Sequence, residues 1–310
     1  MNKKQCPWCQ STQTVRNGSR GGRQNYLCRA CGHQFNSKKT VSPEELWNAY
    51  QDGKQSIHEL ALSFRMSDSS VKRRLKAIRK EWEQPSLSGS GFVHIDVTYR
   101  GRNDGIILAL DSRNGRPLYM DFIGHETIAD YAACVRSIEE RGYVIKGIIL
   151  DGSRRLYAEF QQYPIQMCQF HMKQIVRRYL TRNPKILAAR ALYDLMDTLT
   201  ITDGKTFIDA FNDWKAEYAE TINKRSTYKD GSRHFTHVRL RSAMLSIDFF
   251  LPFLFTYQKP GMEGMPNTNN RIEGTFSSLK RSLNNHCGMP KDNRRRYVIA
   301  YFQKLMADTL

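Results

Sequence analysis

The sequence predicts an α/β protein in which a mixed sheet carries a long helical insertion and is preceded by a four-cysteine zinc module and a helix-turn-helix. Three observations predict it. Between residues 92 and 151 the apolar residues alternate, then repeat at helical spacing, then run continuously up to an acid, which is the order of strands, helix and buried parallel strand. From residue 172 to about 260 the spacing is helical throughout. Ahead of residue 41, two CxxC pairs lie in a stretch with too few apolar residues for a core of its own, so a metal has to supply the folding energy.

Taken from the front, Cys6 and Cys9 form one chelating turn and Cys28 and Cys31 the other, a soft four-thiolate set that suits tetrahedral structural Zn2+. His33 is not needed to complete that shell. Residues 1–40 contain Arg16, Arg20, Arg23 and Arg29 among other cations and no Asp or Glu, so this module is drawn to phosphate; the alternative is a folded clip that presents a protein-binding surface. Residues 41–84 read as helices. Ser42-Pro43-Glu44-Glu45 opens one that covers Leu46 to Tyr50, and others follow at Ser56 to Ala61 and Ser67 to Trp82. The last would bury Val71, Leu75 and Ile78 and turn Lys72, Arg73, Lys76, Arg79 and Lys80 outward, as a recognition helix does. Pro85 to Gly91, rich in Ser and Gly, marks a boundary.

Strands follow at residues 92–98, 106–110 and 117–123, a helix at 127–141 and a buried strand at 144–150. An acid inside an apolar strand is costly without a partner, so Asp96 requires explanation. Asp151 directly follows the buried strand, at the end of a sheet where functional groups gather. If these two strands are parallel neighbours, the aspartates lie side by side and favour a divalent cation between them. Glu273 opens a helix whose apolar stripe is Ile272, Phe276 and Leu279. Three carboxylates suit Mg2+ or Mn2+ and the phosphoryl-transfer chemistry that two such ions support. Other readings stay open: Asp96 paired with Arg100 or His94, Asp151 capping the helix near Ser153, and Glu273 merely complementing a helix dipole. Asp104, Asp111, Asp121 and Asp130 are rivals, Asp111 foremost because it ends a strand. The catalytic region is thus residues 92–171 and 263–310, interrupted by a helical insertion at 172–262 in which Leu187, Ala191, Leu195 and Leu199 repeat at helical positions.

Charge names the class of partner. A formal net charge of +18 over 310 residues favours a polyanion, DNA or RNA. Seven cysteines, an odd number, and no leader segment predict a reducing, cytoplasmic, nucleoid-associated setting, and no apolar run is long enough to span a membrane. Cys168 and His171 form a lone CxxH that is either packing, metal-linked or aimed at a carboxylate. Lys280, Arg281, Arg294, Arg295 and Arg296 flank Asn284 to Gly288 and read as a DNA clamp or as a solvated face.

HIDVTY, IILDGSRR, CQFHMKQ and NTNNRIEGTFSSLKR, in that order, resemble the motifs of bacterial DDE transposases of the mutator-like superfamily. The front CPWC and YLCRACGHQF are similar to zinc modules of insertion-sequence transposases. The resemblance covers residues 1 to 305 or so. It implies a ribonuclease H-like domain with Asp96, Asp151 and Glu273 as catalytic triad, Cys168 and His171 as the characteristic CxxH, and Asn270 and Arg271 as supports. It also implies binding of terminal inverted repeats and target DNA by a dimer or higher multimer, with cleavage and strand transfer. The extra zinc module departs from the simplest members, so end recognition falls to it or to the helix-turn-helix. A zinc-containing repressor and a nuclease without strand transfer are the competing functions.

Overall fold

The computed structural model describes residues 4–20, 23–36, 41–51, 55–78, 81–82, 84, 86–286 and 288–309. The side chains of Arg20 and Arg23, and all of Arg79 and Cys287, lie outside the described residues. Chain contacts separate two units, Met1–Ile78 and Arg79–Leu310.

The first unit opens with an antiparallel sheet of β1 (Thr14–Arg20), β2 (Arg23–Cys28) and β3 (Gln34–Asn36). Each CxxC forms a tight turn in which an amide four residues on donates to the first cysteine's carbonyl, Gln10 N to Cys6 and Gly32 N to Cys28, both at 2.9 Å. Gln10 and Gly32 take the left-handed backbone, which closes the turns and lets both sulfurs of a pair point the same way. Helices α1 (Pro43–Gln51), α2 (Ile57–Ser63) and α3 (Asp68–Ala77) follow. They bury Leu46, Trp47, Tyr50, Leu60, Ala61, Val71 and Leu75, and Ser56 with Glu59 forms a capping box at the start of α2. The third helix stops at Ala77, five residues before the predicted end, because Ile78 turns to extended backbone. Beyond it, Glu81 and Gln84 are tied into the second unit by Gln303 and Ser137.

That unit is built on five strands: β4 (Ser90–Tyr99), β5 (Gly105–Asp111), β6 (Pro117–Ile123), β7 (Val144–Leu150) and β8 (Ile165–Met167). Their order is β6-β5-β4-β7-β8; β5 is antiparallel to both neighbours, while β4, β7 and β8 are parallel. The parallel step from β4 to β7 is the predicted one, with α4 (Ile128–Glu140) as the crossover, and α5 (Arg154–Glu159) bridges β7 to β8. Alternation along β4 divides the faces. Val93 and Ile95 join Ile107, Ala109, Ile148 and Leu150 in the core under Tyr131, Cys134 and Ile138 of α4. His94 and Asp96 project from the opposite face.

Between β8 and the last two helices lie α6 (Gln169–Leu180), α7 (Leu187–Thr198), α8 (Gly204–Glu217), α9 (Ala219–Asn223), the short hairpin β9 (Arg225–Thr227) and β10 (Arg233–Phe235), α10 (Val238–Leu254) and a 3-10 turn. The hairpin was not predicted. At α7 the predicted Leu199 is buried and Ala191 and Leu195 are partly buried against the core, but Leu187 is 66 % exposed and the fully buried positions are Ala188, Leu192 and Met196, one residue over. Val176, Leu192, Phe211, Leu240 and Phe250 belong to the same apolar cluster as the sheet, so this segment shares the sheet's core. At the C-terminal end of α10 the Leu254 carbonyl, left without an intrahelical donor, accepts from Gln166 Nε2 at 2.8 Å and Gln169 Nε2 at 3.0 Å. Finally α11 (Asn270–Asn284) packs on β4 and β5, burying Ile272, Phe276, Leu279 and Leu283, and α12 (Lys291–Asp308) reaches β6.

Candidate active site

His94 of β4 stands opposite Ile149 of β7. Carried two residues further, that register sets Asp96 beside Asp151, on the face from which His94 projects. Asp96 Oδ1 accepts only from the neighbouring Val97 N–H, at 2.8 Å, among the described residues. Neither Arg100 nor His94 pairs with it: His94 is buried and its Nδ1–H donates to Asn269 Oδ1 at 2.8 Å. With so little compensation, burial and then the charge of Asp151 push the Asp96 carboxyl up to about 7; Glu273 and Glu126 add to the rise. Four carboxylates from four segments therefore act on one another.

Asp151 is held by its own loop. Its Oδ1 accepts from Ser153 N at 3.3 Å and its carbonyl from Tyr157 Oη at 2.8 Å, while Ser153, not Asp151, occupies the cap of α5 and makes no side-chain cap bond. Gly152 lies close under α6: a Cβ there would fall 2.3 Å from Cδ1 of Ile175, so a larger residue would have to displace that side chain.

Glu273 lies in the first turn of α11, and its Oε1 is 3.6 Å from His171 Nε2. Glu273 Oε1 and His171 Nδ1 are both buried atoms without a hydrogen-bond partner among the described residues. Cys168, His171 and Glu273 bring their ligand atoms within 4.8 Å of one another. The sulfur of Cys168 accepts from Asn269 N at 3.2 Å, and burial foremost pushes its thiol up to about 11, so it serves as a neutral acceptor. Asn269 is thereby pinned on two sides, by His94 and Cys168, and Gln169 N donates to Asn267 O at 3.0 Å. These bonds fasten the start of α11, and with it Glu273, to β4 and to the β8–α6 junction.

Sequence reasoning missed several of these groups. The buried asparagine is Asn269, whereas Asn270 is exposed, and Arg271 leans over Gly115, 3.2 Å from where a Cβ would stand, on the side of the β5–β6 turn. Glu126, from the loop before α4, accepts from Tyr131 Oη at 2.8 Å, and burial raises its carboxyl. A cavity of about 1090 Å³ is lined by Asp151, Glu126 and His171 and also by Arg154, Arg155 and Arg178. The rival acids are otherwise engaged. Asp111 is bound by Arg113 and Tyr143, Asp104 pairs with Arg294, and Asp121 and Asp130 accept from nearby amides.

The predicted DNA contacts divide. Lys72, Arg73, Lys280 and Arg281 are exposed. Arg294 is spent on Asp104, Arg296 bonds Asn293, and Arg295 is exposed with its guanidinium 4.9 Å above Phe122. No helix among the described residues is long and apolar enough to cross a membrane.

In the first unit the four sulfurs of Cys6, Cys9, Cys28 and Cys31 lie within 4.8 Å of one another, with Cys6 to Cys31 at 3.6 Å and Cys9 to Cys28 at 3.5 Å. Sulfurs 2.3 Å from a tetrahedral zinc are roughly 3.8 Å apart, so the cluster can bind zinc without rearrangement. The carboxylates offer a different donor type, although among the described residues Asp96, Asp151 and Glu273 do not form a set with all ligand atoms within 4.8 Å, as Glu273 does with Cys168 and His171. Carboxylate oxygens are hard donors, the type that an oxygen-preferring divalent cation takes.

No protein-family model and no curated protein matches the chain. Among solved structures, a chain of the Drosophila P element transposase strand transfer complex is similar, at a TM-score of 0.36 and 11 % identity, over 87 % of this chain and 65 % of that one. A chain of the simian T-cell lymphotropic virus intasome in complex with PP2A regulatory subunit B56 gamma is similar at a TM-score of 0.22 and 12 % identity, over 66 % of each chain. This chain thus spans less than two thirds of either. Similarity at this level fixes no chemistry, which rests on the side chains themselves.

Proposed function

We propose that the chain is a DNA transposase of the DDE type, which binds insertion-element ends, cleaves phosphodiester bonds to free 3′ hydroxyls and joins them to target DNA. The observation that carries this reading is the parallel register of β4 and β7, which sets Asp96 beside Asp151, with Glu273 on a helix start fastened to β4 and to the β8–α6 junction, within a strongly basic chain. A ribonuclease H-like domain is supported by a sheet ordered third, second, first, fourth, fifth in which only the second strand is antiparallel. Residues 92–171 and 263–310 form that domain in this reading, with 172–262 as its helical insertion.

Asp96, Asp151 and Glu273 would hold Mg2+ or Mn2+, which when bound stabilises charge on the phosphoryl oxygens and lowers the pKa of the attacking water or 3′ hydroxyl. His171 orients Glu273, and Cys168 and Asn269 fix the helix that bears it. Arg154, Arg155 and Arg178 draw the phosphate into the cavity against the repulsion of the acids. Water first displaces the 3′ oxygen at the element end, and the freed 3′ hydroxyl then attacks a target phosphodiester, with no covalent enzyme intermediate.

Zn2+ on Cys6, Cys9, Cys28 and Cys31 would fold the module of residues 1–40. A helix-turn-helix at 41–84 is supported by the four-residue turn between α2 and α3 and by the exposure of Lys72 and Arg73. These two modules take the inverted repeats, with Arg20, Arg23 and Arg79 as further contacts, and two or more copies bring the ends together. Lys280, Arg281 and Arg295 remain the clamp beside the acids.

The test is a magnesium-dependent reaction on labelled duplexes ending in the inverted repeats that flank the gene, with a supercoiled target. Wild-type protein gives 3′-end cleavage and joined products; Asp151→Asn gives neither while binding the ends normally. Cleavage without joining would leave a nuclease, and specific binding without either product a repressor.

A further inference from the structure

We propose that the hairpin β9–β10 is a DNA-binding ribbon that enters the major groove of the duplex whose phosphodiester lies at the acidic site, an inference that rests on the transposase reading. Between Lys224 and Arg241 the chain carries six cations, Lys224, Arg225, Lys229, Arg233, Arg239 and Arg241, against the single acid Asp230. That acid is turned inward on its own turn, accepting from Ser232 N at 2.9 Å and Ser232 Oγ at 2.6 Å. None of the six cations is in an ion pair among the described residues. All but Arg241 are exposed.

A solvated charged surface needs no order, but this one is built. Arg225 and Arg241 both pack on the ring of Phe235, at 4.3 and 3.6 Å from its centroid, and Arg241 also donates to Asn223 Oδ1 at 3.0 Å. Three paired residues on each strand and a Ser226–Thr236 hydroxyl bond of 2.7 Å close the ribbon. The tip then presents Tyr228, 56 % exposed, with Lys229 and Arg233. A two-stranded ribbon is of a size to enter the roughly 12 Å major groove of B-form DNA, whereas the deep, narrow major groove of an RNA helix excludes it.

Position supports the same partner. Phe235 is followed directly by α10, and Ser242 and Ser246 of that helix line the cavity that also holds Asp151. From Val238 to Ser246 the helix rises about 12 Å, well under the roughly 34 Å of one duplex turn. One duplex can therefore meet both the acids and the ribbon.

The experiment compares full-length wild type and Lys229→Gln/Arg233→Gln for binding to a labelled DNA duplex and to an RNA duplex of the same sequence, over a salt series. Both replaced side chains are exposed, and an unchanged melting profile verifies the fold. The double variant should bind DNA roughly tenfold more weakly at physiological salt, with a log–log salt slope shallower by about two. RNA binding should be the same for both proteins. Wild-type DNA affinity and slope in the double variant would overturn the ribbon alone, as would an equal loss on RNA. Failure of wild type to bind any DNA duplex would overturn both the ribbon and the transposase reading.

Discussion

Replacing Asp96 with Asn should stabilise the protein in the absence of metal, by an amount that grows from about pH 4 upward and levels off above about pH 7. Burial and three neighbouring carboxylates raise the Asp96 carboxyl from its ordinary 3.8 to about 7. Between those values the folded chain holds a proton that the unfolded chain has released, so stability falls as pH rises through this window. Below pH 4 both states are protonated and the penalty is absent. Well above pH 7 it is complete, and at about 1.4 kcal/mol for each tenfold change in proton affinity it amounts to about 4 kcal/mol. For a unit of this size that is a difference of about 10 °C in melting temperature. The assay is thermal and urea unfolding of wild type and Asp96→Asn in chelator from pH 4 to pH 8.5, repeated with Mg2+ or Mn2+. The variant should exceed wild type at pH 8.5 and converge with it near pH 4; adding metal at pH 8.5 should stabilise wild type and leave the variant almost unmoved. His94, which burial foremost lowers to about 4, adds its own acid-side loss to both proteins and cancels in the difference. A variant less stable than wild type at every pH, or a gap that does not change with pH, would refute the crowding of carboxylates from which the metal site is argued.

Two further outcomes follow from the geometry. Changing Cys6 and Cys9 together to Ser should abolish zinc uptake, measured by metal analysis, and unfold the module of residues 1–40, measured by proteolysis, because its sheet is too small to fold without the ion. Asn269→Ala should cost about 1 to 3 kcal/mol in urea unfolding, since the His94 N–H is left buried without an acceptor, and should lower strand cleavage more than DNA binding by loosening the start of α11.

Much of the sheet was legible in the sequence because alternation and continuous apolar runs report burial directly. Val93, Ile95 and Val97 betrayed β4, and the run from Val144 to Leu150 betrayed a strand buried at its centre. Helix register in α7 was less legible: Leu187, Ala191 and Leu195 repeat at helical spacing, yet Ala188, Ala189, Leu192 and Met196 are the residues buried. The hairpin β9–β10 left no periodic trace, since three-residue strands with mainly charged and polar side chains carry no apolar alternation. At the site, Asp96 and Asp151 were visible because each is an acid at a strand position that repels acids. Glu126 sits in a loop where acids are ordinary, and the difference between Asn269 and Asn270 is one step of helix phase that only the packing decides.

The spacing of the acids along the chain also governs how they can meet. Asp96 and Asp151 become neighbours through one crossover, but Glu273 is separated from Asp151 by 121 residues, which pack onto the sheet between them. Closing a loop of that length costs about 4 kcal/mol of chain entropy, which only the finished helical core offsets. In the proposed site the third carboxylate thus depends on the integrity of the helical segment, and loosening that segment would weaken the placement of Glu273 without touching Asp96 or Asp151.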